Sequence, residues 1–295
     1  MKPLALLVLS VAVLACGGGS DSTDAPPVDT APAADGAAPD APVPVADATP
    51  ADAAAPVVLY GLIAGRLVRI DPATADLTDL GAGPADARFV WDPSVSLMYV
   101  VQNPLTNPNL AVIDLCTGEL GPGPAITRDG TQVNIVEGFA RHPDTGAWYA
   151  CYDTTGDAAS APVSETFGTF ALDSGAVTSV GTVDTFTDDC DSLLFIDSTL
   201  ELLDVDATDN RAGLYSVNLA TGATTIVTNL DDDVVRVAWD ASRSTLFGYA
   251  RTNRQLVTIE RGTGALTIVG ETHAAATYGT TPMTALAAAP QASCP

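Results

Sequence analysis

The chain has 295 residues, of which 36 are acidic and 12 are basic, so its formal net charge is −24. Proteins that bind the phosphate backbone of nucleic acids carry basic surfaces. The net negative charge of this chain therefore excludes nucleic acid as an expected partner. Two histidines and five cysteines leave little material for a transition-metal site, whereas the 47% hydrophobic content is that of a globular chain.

The first 15 residues have the pattern of an export signal. Lys2 supplies one positive charge, and an apolar run follows from Leu4 to Leu14, interrupted only by Ser10. This order is typical of a secretory signal peptide. The run falls short of the ~20 apolar residues that a membrane-spanning helix needs. We therefore predict a signal peptide over residues 1–15.

The end of this signal, residues 13–16, reads Val-Leu-Ala-Cys and resembles the lipobox of bacterial lipoproteins, although Val13 replaces the usual leucine. The alternative is an ordinary cleaved signal followed by an incidental cysteine. The resemblance implies that Cys16 carries a diacylglycerol and an N-linked acyl chain, which together anchor a protein stably to a membrane. It also implies an outer-membrane or cell-surface location in the bacterial envelope, because Gly17 rather than aspartate follows the cysteine.

Residues 16–56 form a linker in this interpretation. From Ser20 to Pro56 the chain consists mainly of Ala, Pro and Asp, with eight prolines, seven aspartates and no basic or aromatic residue. Such a segment cannot bury enough apolar surface to offset its chain entropy. We therefore predict an extended, disordered tether.

From Val57 to the end of the chain, one pattern recurs five times. Each copy is an alternating apolar strand, a turn and a second alternating strand, which indicates a β-hairpin. In four copies the turn contains Thr-Gly or Ser-Gly. The steps between copies are 43, 57, 47 and 42 residues, measured at the last apolar residue of the first strand: Ile70, Ile113, Phe170, Val217 and Ile259.

A second motif, at residues 89–99, 139–149 and 237–247, adds another hairpin and gives four strands to each unit. Four-stranded units of this length are typical of β-propeller blades. Residues 283–290 look like the first strand of a unit and residues 57–64 like its second, so the chain ends where it begins. We predict an all-β fold, a five-bladed β-propeller over residues 57–295 closed by its C-terminal strand and its N-terminal strands.

These repeats resemble the degenerate bacterial propellers of the YVTN, NHL and quinoprotein-like kinds, in which an apolar strand leads into an Asp-x-x-Thr-Gly turn. The resemblance implies the fold and no particular function, since such propellers host many roles. The structural alternative is an array of β-sandwiches, which does not require the chain ends to meet. We expect a monomer.

Four cysteines remain besides Cys16, an even number that suits an oxidising compartment. Three pairings are possible, and free buried thiols are the alternative. In the propeller, Cys116 and Cys294 fall toward the bottom face, whereas Cys151 and Cys190 fall near the top. We therefore expect the disulfides Cys116–Cys294 and Cys151–Cys190.

Carboxylates concentrate in segments that the repeat assigns to top-face loops. Clustered carboxylate oxygens suit Ca²⁺, which takes six to eight oxygen ligands. A solvated acidic face is the alternative. No ordinary calcium-loop motif is present, because Asp209 stands where an EF-hand has glycine. The candidate Ca²⁺ ligands are Asp188, Asp189, Asp191, Asp204, Asp206 and Asp209.

No catalytic motif occurs; His142 falls in a turn at residues 142–146, and His273 lies in a loop without a recognisable partner. The leading hypothesis is a lipid-anchored, non-catalytic module that binds a protein, a glycan or a small ligand outside the cytoplasmic membrane. The alternative is a hydrolase or lactonase-type enzyme with a Ca²⁺-supported top face. Glu137 is the one clear acid inside an innermost strand, and Asp191, Asp233 and Arg236 lie near strand starts.

Overall fold

The computed structural model describes residues 55–153, 165–185, 189–206, 211–230, 232–273 and 278–294. The predicted signal peptide, Cys16 and most of the linker lie outside the described residues, as do Asp188 and Asp209. Within the described part of the chain, no helix is both long and apolar enough to cross a membrane.

The described residues form 21 β-strands in five sheets. Their bounds are β1 (Val57–Ile63), β2 (Arg66–Ile70), β3 (Leu77–Ala82), β4 (Ala87–Asp92), β5 (Leu97–Gln102), β6 (Asn109–Ile113), β7 (Thr127–Arg128), β8 (Thr131–Gln132), β9 (Ile135–Arg141), β10 (Trp148–Asp153), β11 (Thr166–Ala171), β12 (Ala176–Thr182), β13 (Ser192–Ile196), β14 (Thr199–Asp206), β15 (Arg211–Val217), β16 (Thr224–Leu230), β17 (Val234–Asp240), β18 (Thr245–Ala250), β19 (Gln255–Ile259), β20 (Leu266–Glu271) and β21 (Met283–Pro290).

The five sheets are the blades of the predicted propeller. Blade 1 has the order β21-β1-β2-β3, blade 4 the order β13-β14-β15-β16, and blade 5 the order β17-β18-β19-β20. Blade 2 consists of β4-β5-β6, and blade 3 contains β9-β10-β11-β12. The innermost strands β21, β4, β9, β13 and β17 contact one another in a closed ring. We call the face where these strands begin the top and the face where they end the bottom.

Ring closure is confirmed. Strand β21 pairs with β1 over seven positions, from Val57 opposite Pro290 to Ile63 opposite Met283. Both predicted disulfides are present: Cys116–Cys294, with Cα atoms 5.3 Å apart, joins the C-terminus to blade 2, and Cys151–Cys190 joins blades 3 and 4. Closure covers the edge that β1 would otherwise leave open.

The repeated turn explains the Thr-Gly signal. In four blades the turn glycine donates its backbone N–H to the carbonyl four residues earlier, and three of these pairs are Gly118–Asp114, Gly222–Asn218 and Gly264–Glu260, each at 2.8 Å. These glycines have φ of 76°, 77° and 73°. This left-handed conformation is costly for residues with a Cβ, so glycine recurs there.

Blade 2 departs from the prediction of four strands. Its fourth position, residues 119–126, touches β6 only at two isolated bridges, Ile113–Leu120 and Asn109–Ala125. Pro122 and Pro124 lie between these bridges and have no N–H to donate, so a continuous ladder cannot form. The strands β7 and β8 that follow form a small hairpin, which pairs with β12 of blade 3 instead.

Alternation along each strand places apolar side chains between neighbouring blades. Between blades 1 and 2, for example, Tyr60 and Leu62 pack with Met98 and Val100. Outer strands are half exposed, as in β20, where Ile268 is 60% exposed. Each aliphatic side chain that is fully buried between two blades contributes about 1.5–3 kcal/mol to the free energy of folding. The propeller is therefore held together mainly by packing between its blades.

Candidate functional site

Three carboxylates meet at the top of the central channel. Glu137 is the third residue of β9, Glu165 immediately precedes β11, and Asp189 lies three residues before β13. One carboxylate oxygen from each lies within 4.8 Å of the others. Blades 3 and 4 thus deliver three acids to one point, and we call these residues the top carboxylate cluster.

Burial makes this cluster electrostatically unusual. Glu165 is only 6% exposed, and its Oε2 atom has no hydrogen-bond partner among the described residues. Burial, followed by the charges of Glu137 and Asp189, raises the pKa of Glu165 well above its usual value. Burial and the neighbouring Asp189 and Asp191 likewise raise the pKa of Glu137 to about 8. A divalent cation would relieve this repulsion, because it lowers the free energy of the ionised form.

Asp191 connects the cluster to two arginines. Its Oδ2 accepts a 2.8 Å hydrogen bond from the N–H of Val205, and its Oδ1 lies 3.7 Å from Nη1 of Arg236. Burial and the charge of Asp189 raise the pKa of Asp191 to about 7 despite Arg236. Burial and the nearby Arg88 lower the pKa of Arg236 to about 10.

The two arginines hold the closing strand. Arg236 of β17 donates from Nε to the carbonyl of Thr284 at 2.8 Å, and Arg88 of β4 donates from Nη1 to the same oxygen at 3.2 Å. Arg88 also donates from Nε to the carbonyl of Glu137 at 2.7 Å. Both blades that flank β21 therefore bind its backbone inside the channel, which couples ring closure to the acidic site.

The space beside Glu137 is small. A cavity of about 30 Å³ lies between Glu137, Arg88 and Arg236 in the middle of the channel. This volume accommodates a water molecule or an ion and is far below the 300–1,000 Å³ of small-molecule sites.

The disulfide Cys151–Cys190 and Gly138 position the cluster. Both cysteines lie close to Glu165, but their sulfurs are bonded to each other and do not act as metal ligands. A Cβ on Gly138 would lie 2.8 Å from Cβ of Leu193 and 2.9 Å from Sγ of Cys190. Glycine at position 138 therefore lets blades 3 and 4 approach closely beside Glu137.

The structure brings together only some of the predicted ligands. Asp189 belongs to the cluster and Asp191 adjoins it, and Glu137 occupies an innermost strand as expected. The expectation that Asp204 and Asp206 lie in a loop is wrong: both belong to β14, because that strand stays paired with β15 as far as Asp206. Asp204 is fully buried, and Asp206 pairs with Arg211 at 3.4 Å.

Other polar candidates have local partners. Asp233 accepts two hydrogen bonds from Arg251, at 2.7 and 2.8 Å, and so serves blade 5 rather than the cluster. The Nδ1 atom of His142 accepts the backbone N–H of Asp144 at 3.2 Å, as expected of a turn residue. His273 is buried beside Thr272, whose Oγ1 lies 3.0 Å from its Nδ1.

Sequence reasoning missed Glu165. It stands alone before an apolar strand, in a stretch without a carboxylate pair or a motif. Only the path of the chain through blade 3 brings it next to Glu137 and Asp189. No local signal in the sequence identifies it.

A larger cavity opens at the bottom end of the channel, and we call it the bottom cavity. Its volume is about 520 Å³, and all five innermost strands contribute to its wall. Aromatic side chains of blades 2, 4 and 5 line it: Phe89, Trp91, Phe195 and Trp239. Trp91 and Trp239 hold equivalent positions in the repeated sequence Arg-x-x-Trp-Asp at residues 88–92 and 236–240.

The charged side chains that line the bottom cavity differ in whether they form ion pairs. Arg141 is neutralised, since its Nε lies 3.0 Å from Oδ2 of Asp92 and its Nη2 donates to Ser94 at 3.2 Å. Asp144 and Asp197 are exposed, and neither carboxylate forms an ion pair with the described residues. The mouth of this cavity therefore has a negative potential.

No protein-family model matches this chain, and no curated protein does. Among solved structures, a chain of a nidogen/laminin complex superposes with a TM-score of 0.52 at 9% identity, covering 79% of this chain and 98% of that one. A gluconolactonase from Xanthomonas campestris gives 0.47 at 11% identity, covering 70% of this chain and 69% of that one. An auxiliary nutrient binding protein from Bacteroides thetaiotaomicron gives 0.43 at 12% identity, covering 72% and 53%. Such likeness concerns the fold alone.

Proposed function

We propose that this protein is a non-catalytic binding module of the bacterial envelope, anchored by a lipid on Cys16. The observation that carries the proposal is that the large cavity and the acidic groups lie at different positions along the channel. Glu137, whose pKa is raised to about 8, borders a cavity of about 30 Å³, whereas the cavity of about 520 Å³ has an aromatic wall. A large, mostly apolar cavity with few polar groups is typical of a ligand-binding site.

Anchoring and binding have separate tests. Labelled palmitate is incorporated into the full chain in cells, and Cys16→Ser abolishes the label; label that persists refutes the lipid on Cys16. For binding, a small-molecule library is screened by tryptophan fluorescence, because Trp91 and Trp239 line the bottom cavity. Ligands that shift this fluorescence without being turned over support the module, and turnover of them refutes it.

The top carboxylate cluster supports a Ca²⁺ site. Glu137, Glu165 and Asp189 offer up to six carboxylate oxygens, and water or backbone carbonyls complete the six to eight ligands that Ca²⁺ takes. The Oε2 of Glu165, which has no hydrogen-bond partner in the described part of the chain, supplies a buried ligand atom. In this role the ion ties blades 3 and 4 together beside the Cys151–Cys190 disulfide.

Thermal melting of the full chain with Ca²⁺ or with chelator tests this site. A ligand at 100 times its Kd stabilises the folded state by ~2.7 kcal/mol, which for this domain raises Tm by about 5–10 °C. Glu165→Gln abolishes the response, and without Ca²⁺ it does not destabilise, since it removes a buried repelling charge. Glu119→Gln, at an exposed carboxylate, keeps the response. A wild-type Tm indifferent to Ca²⁺ refutes the site.

A second candidate is the hydrolase or lactonase-type enzyme. The observation in its favour is that Glu137 and Asp191 have pKa values of about 8 and 7, near the pH at which general acids and bases work. Its test is turnover of lactones and aryl glycosides by the Ca²⁺-loaded chain. Turnover that Glu137→Gln abolishes while Tm is retained would establish the enzyme and displace the binding module.

A further inference from the structure

We propose that the bottom cavity binds an organic cation, an alkylated ammonium with apolar substituents. This inference rests on the proposed binding function and specifies its site and ligand class. The site lies at the end of the channel opposite the top carboxylate cluster, and it uses residues that have no part in that cluster.

The wall provides the first element of recognition. Trp91 of blade 2 and Trp239 of blade 5 line the cavity together with Phe195 of blade 4, so aromatic rings come from three blades. The quadrupole of a tryptophan ring attracts an alkylated ammonium group that lies over its face. Several such rings around one cation form an aromatic cage. An apolar ligand body also gains by leaving water among these rings.

The mouth provides the second element. Asp144 and Asp197 lie at the rim, and neither is neutralised by an ion pair among the described residues. The guanidinium of Arg141 is held by Asp92 and Ser94 and leaves no unpaired positive charge at the rim. This arrangement attracts a cation and repels an anion.

The charge of the domain acts in the same direction. Residues 57–295 contain 11 arginines, no lysine and 29 acidic residues, a balance of −18. A field of this sign raises the local concentration of cations and speeds their association. A phosphate or carboxylate ligand would meet the opposite force, so the aromatic wall and the charge together select an organic cation over an anion of equal size.

The experiment follows tryptophan fluorescence of the full chain in nanodiscs of phosphatidylethanolamine and phosphatidylglycerol, which carry no choline headgroup. The probes are choline, benzyltrimethylammonium and tetrapropylammonium. We expect saturable fluorescence changes, and at least tenfold weaker binding of 3,3-dimethylbutan-1-ol, the uncharged isostere of choline. Equal affinity for choline and this alcohol, or no response to any of the three cations, overturns the proposal.

Variants locate the binding. Trp239→Leu and Trp91→Leu should each weaken binding at least tenfold, while Trp239→Phe retains part of it and controls for folding. Trp148→Phe leaves the affinity unchanged, because Trp148 packs inside blade 3 against Phe139 with ring centroids 5.5 Å apart. Unchanged affinity in both leucine variants overturns the site.

The rim charges have their own test. Asp144→Asn combined with Asp197→Asn should weaken choline binding about tenfold and leave binding of the alcohol unchanged. Glu119→Gln, an exposed acid outside the cavity, controls for the net charge of the domain. An equal loss in both variants shows that only the general field acts and refutes the role of the rim.

The two proposals fail in distinguishable ways. If the cavity binds neutral glycans but no cation, the protein is still a binding module, and only the proposal that its ligand is an organic cation is refuted. If the protein binds the cation and also shows turnover that depends on Glu137, the proposal of a non-catalytic function is refuted and the proposal of an organic cation as ligand is kept.

Discussion

The disulfide between Cys116 and Cys294 should be the largest single covalent contribution to the stability of the ring. The two cysteines are 178 residues apart in sequence, and closing a loop of that length removes about 5 kcal/mol of conformational free energy from the unfolded chain. The 39-residue separation of Cys151 and Cys190 gives about 4 kcal/mol. In a domain of this size, 5 kcal/mol corresponds to a Tm change of about 10–20 °C.

The double variant Cys116→Ser, Cys294→Ser tests this contribution without leaving a free thiol. Thermal melting should show the 10–20 °C decrease, while far-UV circular dichroism at 20 °C remains that of the wild type. The folded ring persists because β21 still pairs with β1 along seven positions and still accepts hydrogen bonds from Arg88 and Arg236. A decrease below about 3 °C, or loss of the β-sheet spectrum at 20 °C, refutes this reasoning.

Three further predictions concern the channel and the turns. Gly138→Ala should cost about 1–3 kcal/mol through overpacking against Leu193 and Cys190, whereas Gly262→Ala, whose nearest contact is at 3.6 Å, should change Tm little in the same melting experiment. Arg236→Leu should cost about 1–3 kcal/mol in urea unfolding because it leaves the half-buried Asp191 without its ion-pair partner, and adding Asp191→Asn should recover part of that loss; an additive double variant would contradict the pairing. Burial raises the pKa of Asp240, but hydrogen bonds from Ser242 and Arg243 outweigh it and leave the pKa below its usual value. At pH 7 the wild type should therefore have a higher free energy of unfolding than Asp240→Asn, and this difference should disappear as the pH falls through the lowered pKa. A difference that grows on acidification would contradict this prediction.

The fold could be predicted because the signals that specify it are local and repeated. Each blade carries its own alternation, and four of the five copies carry a Thr-Gly or Ser-Gly turn, so one misread copy is corrected by the others. Closure also followed from position alone, since Met283–Pro290 and Val57–Ile63 each lacked a partner and completed one blade. The missing fourth strand of blade 2 was foreseeable in principle, because Pro122 and Pro124 interrupt the donors of a ladder.

The top site was only partly predictable because its members are assembled across blades. Asp189 and Asp191 were expected near the top, where the repeat places the loop before an innermost strand. Glu165 precedes β11 and comes near Glu137 of β9 because both strands pair with β10, and no sequence periodicity indicates that contact. Asp204 was misplaced because a carboxylate inside an apolar strand reads as the start of a loop, although Gly213 of β15 pairs with it in register.

The bottom cavity had a sequence signal that became interpretable only in the structure. The repeated Arg-x-x-Trp-Asp places an arginine near the top of the channel and a tryptophan near its bottom in blades 2 and 5. The aspartate of each copy then caps the turn that follows: Asp92 accepts the N–H of Ser94, and Asp240 that of Ser242, each at 2.9 Å. One five-residue pattern thus supplies ring closure, a cavity wall and a turn.

The negative charge of the domain consequently has two physical meanings at the two ends of the channel. At the top, Glu137, Glu165 and Asp189 are drawn together, with Glu165 buried and the other two half-buried, which is costly unless protons or a cation neutralise them. At the bottom, Asp144 and Asp197 remain in water and cost the fold little, so their field is available to a ligand. Neutralising the first group should therefore change stability, whereas neutralising the second should change affinity, and this difference separates the two sites in a single set of variants.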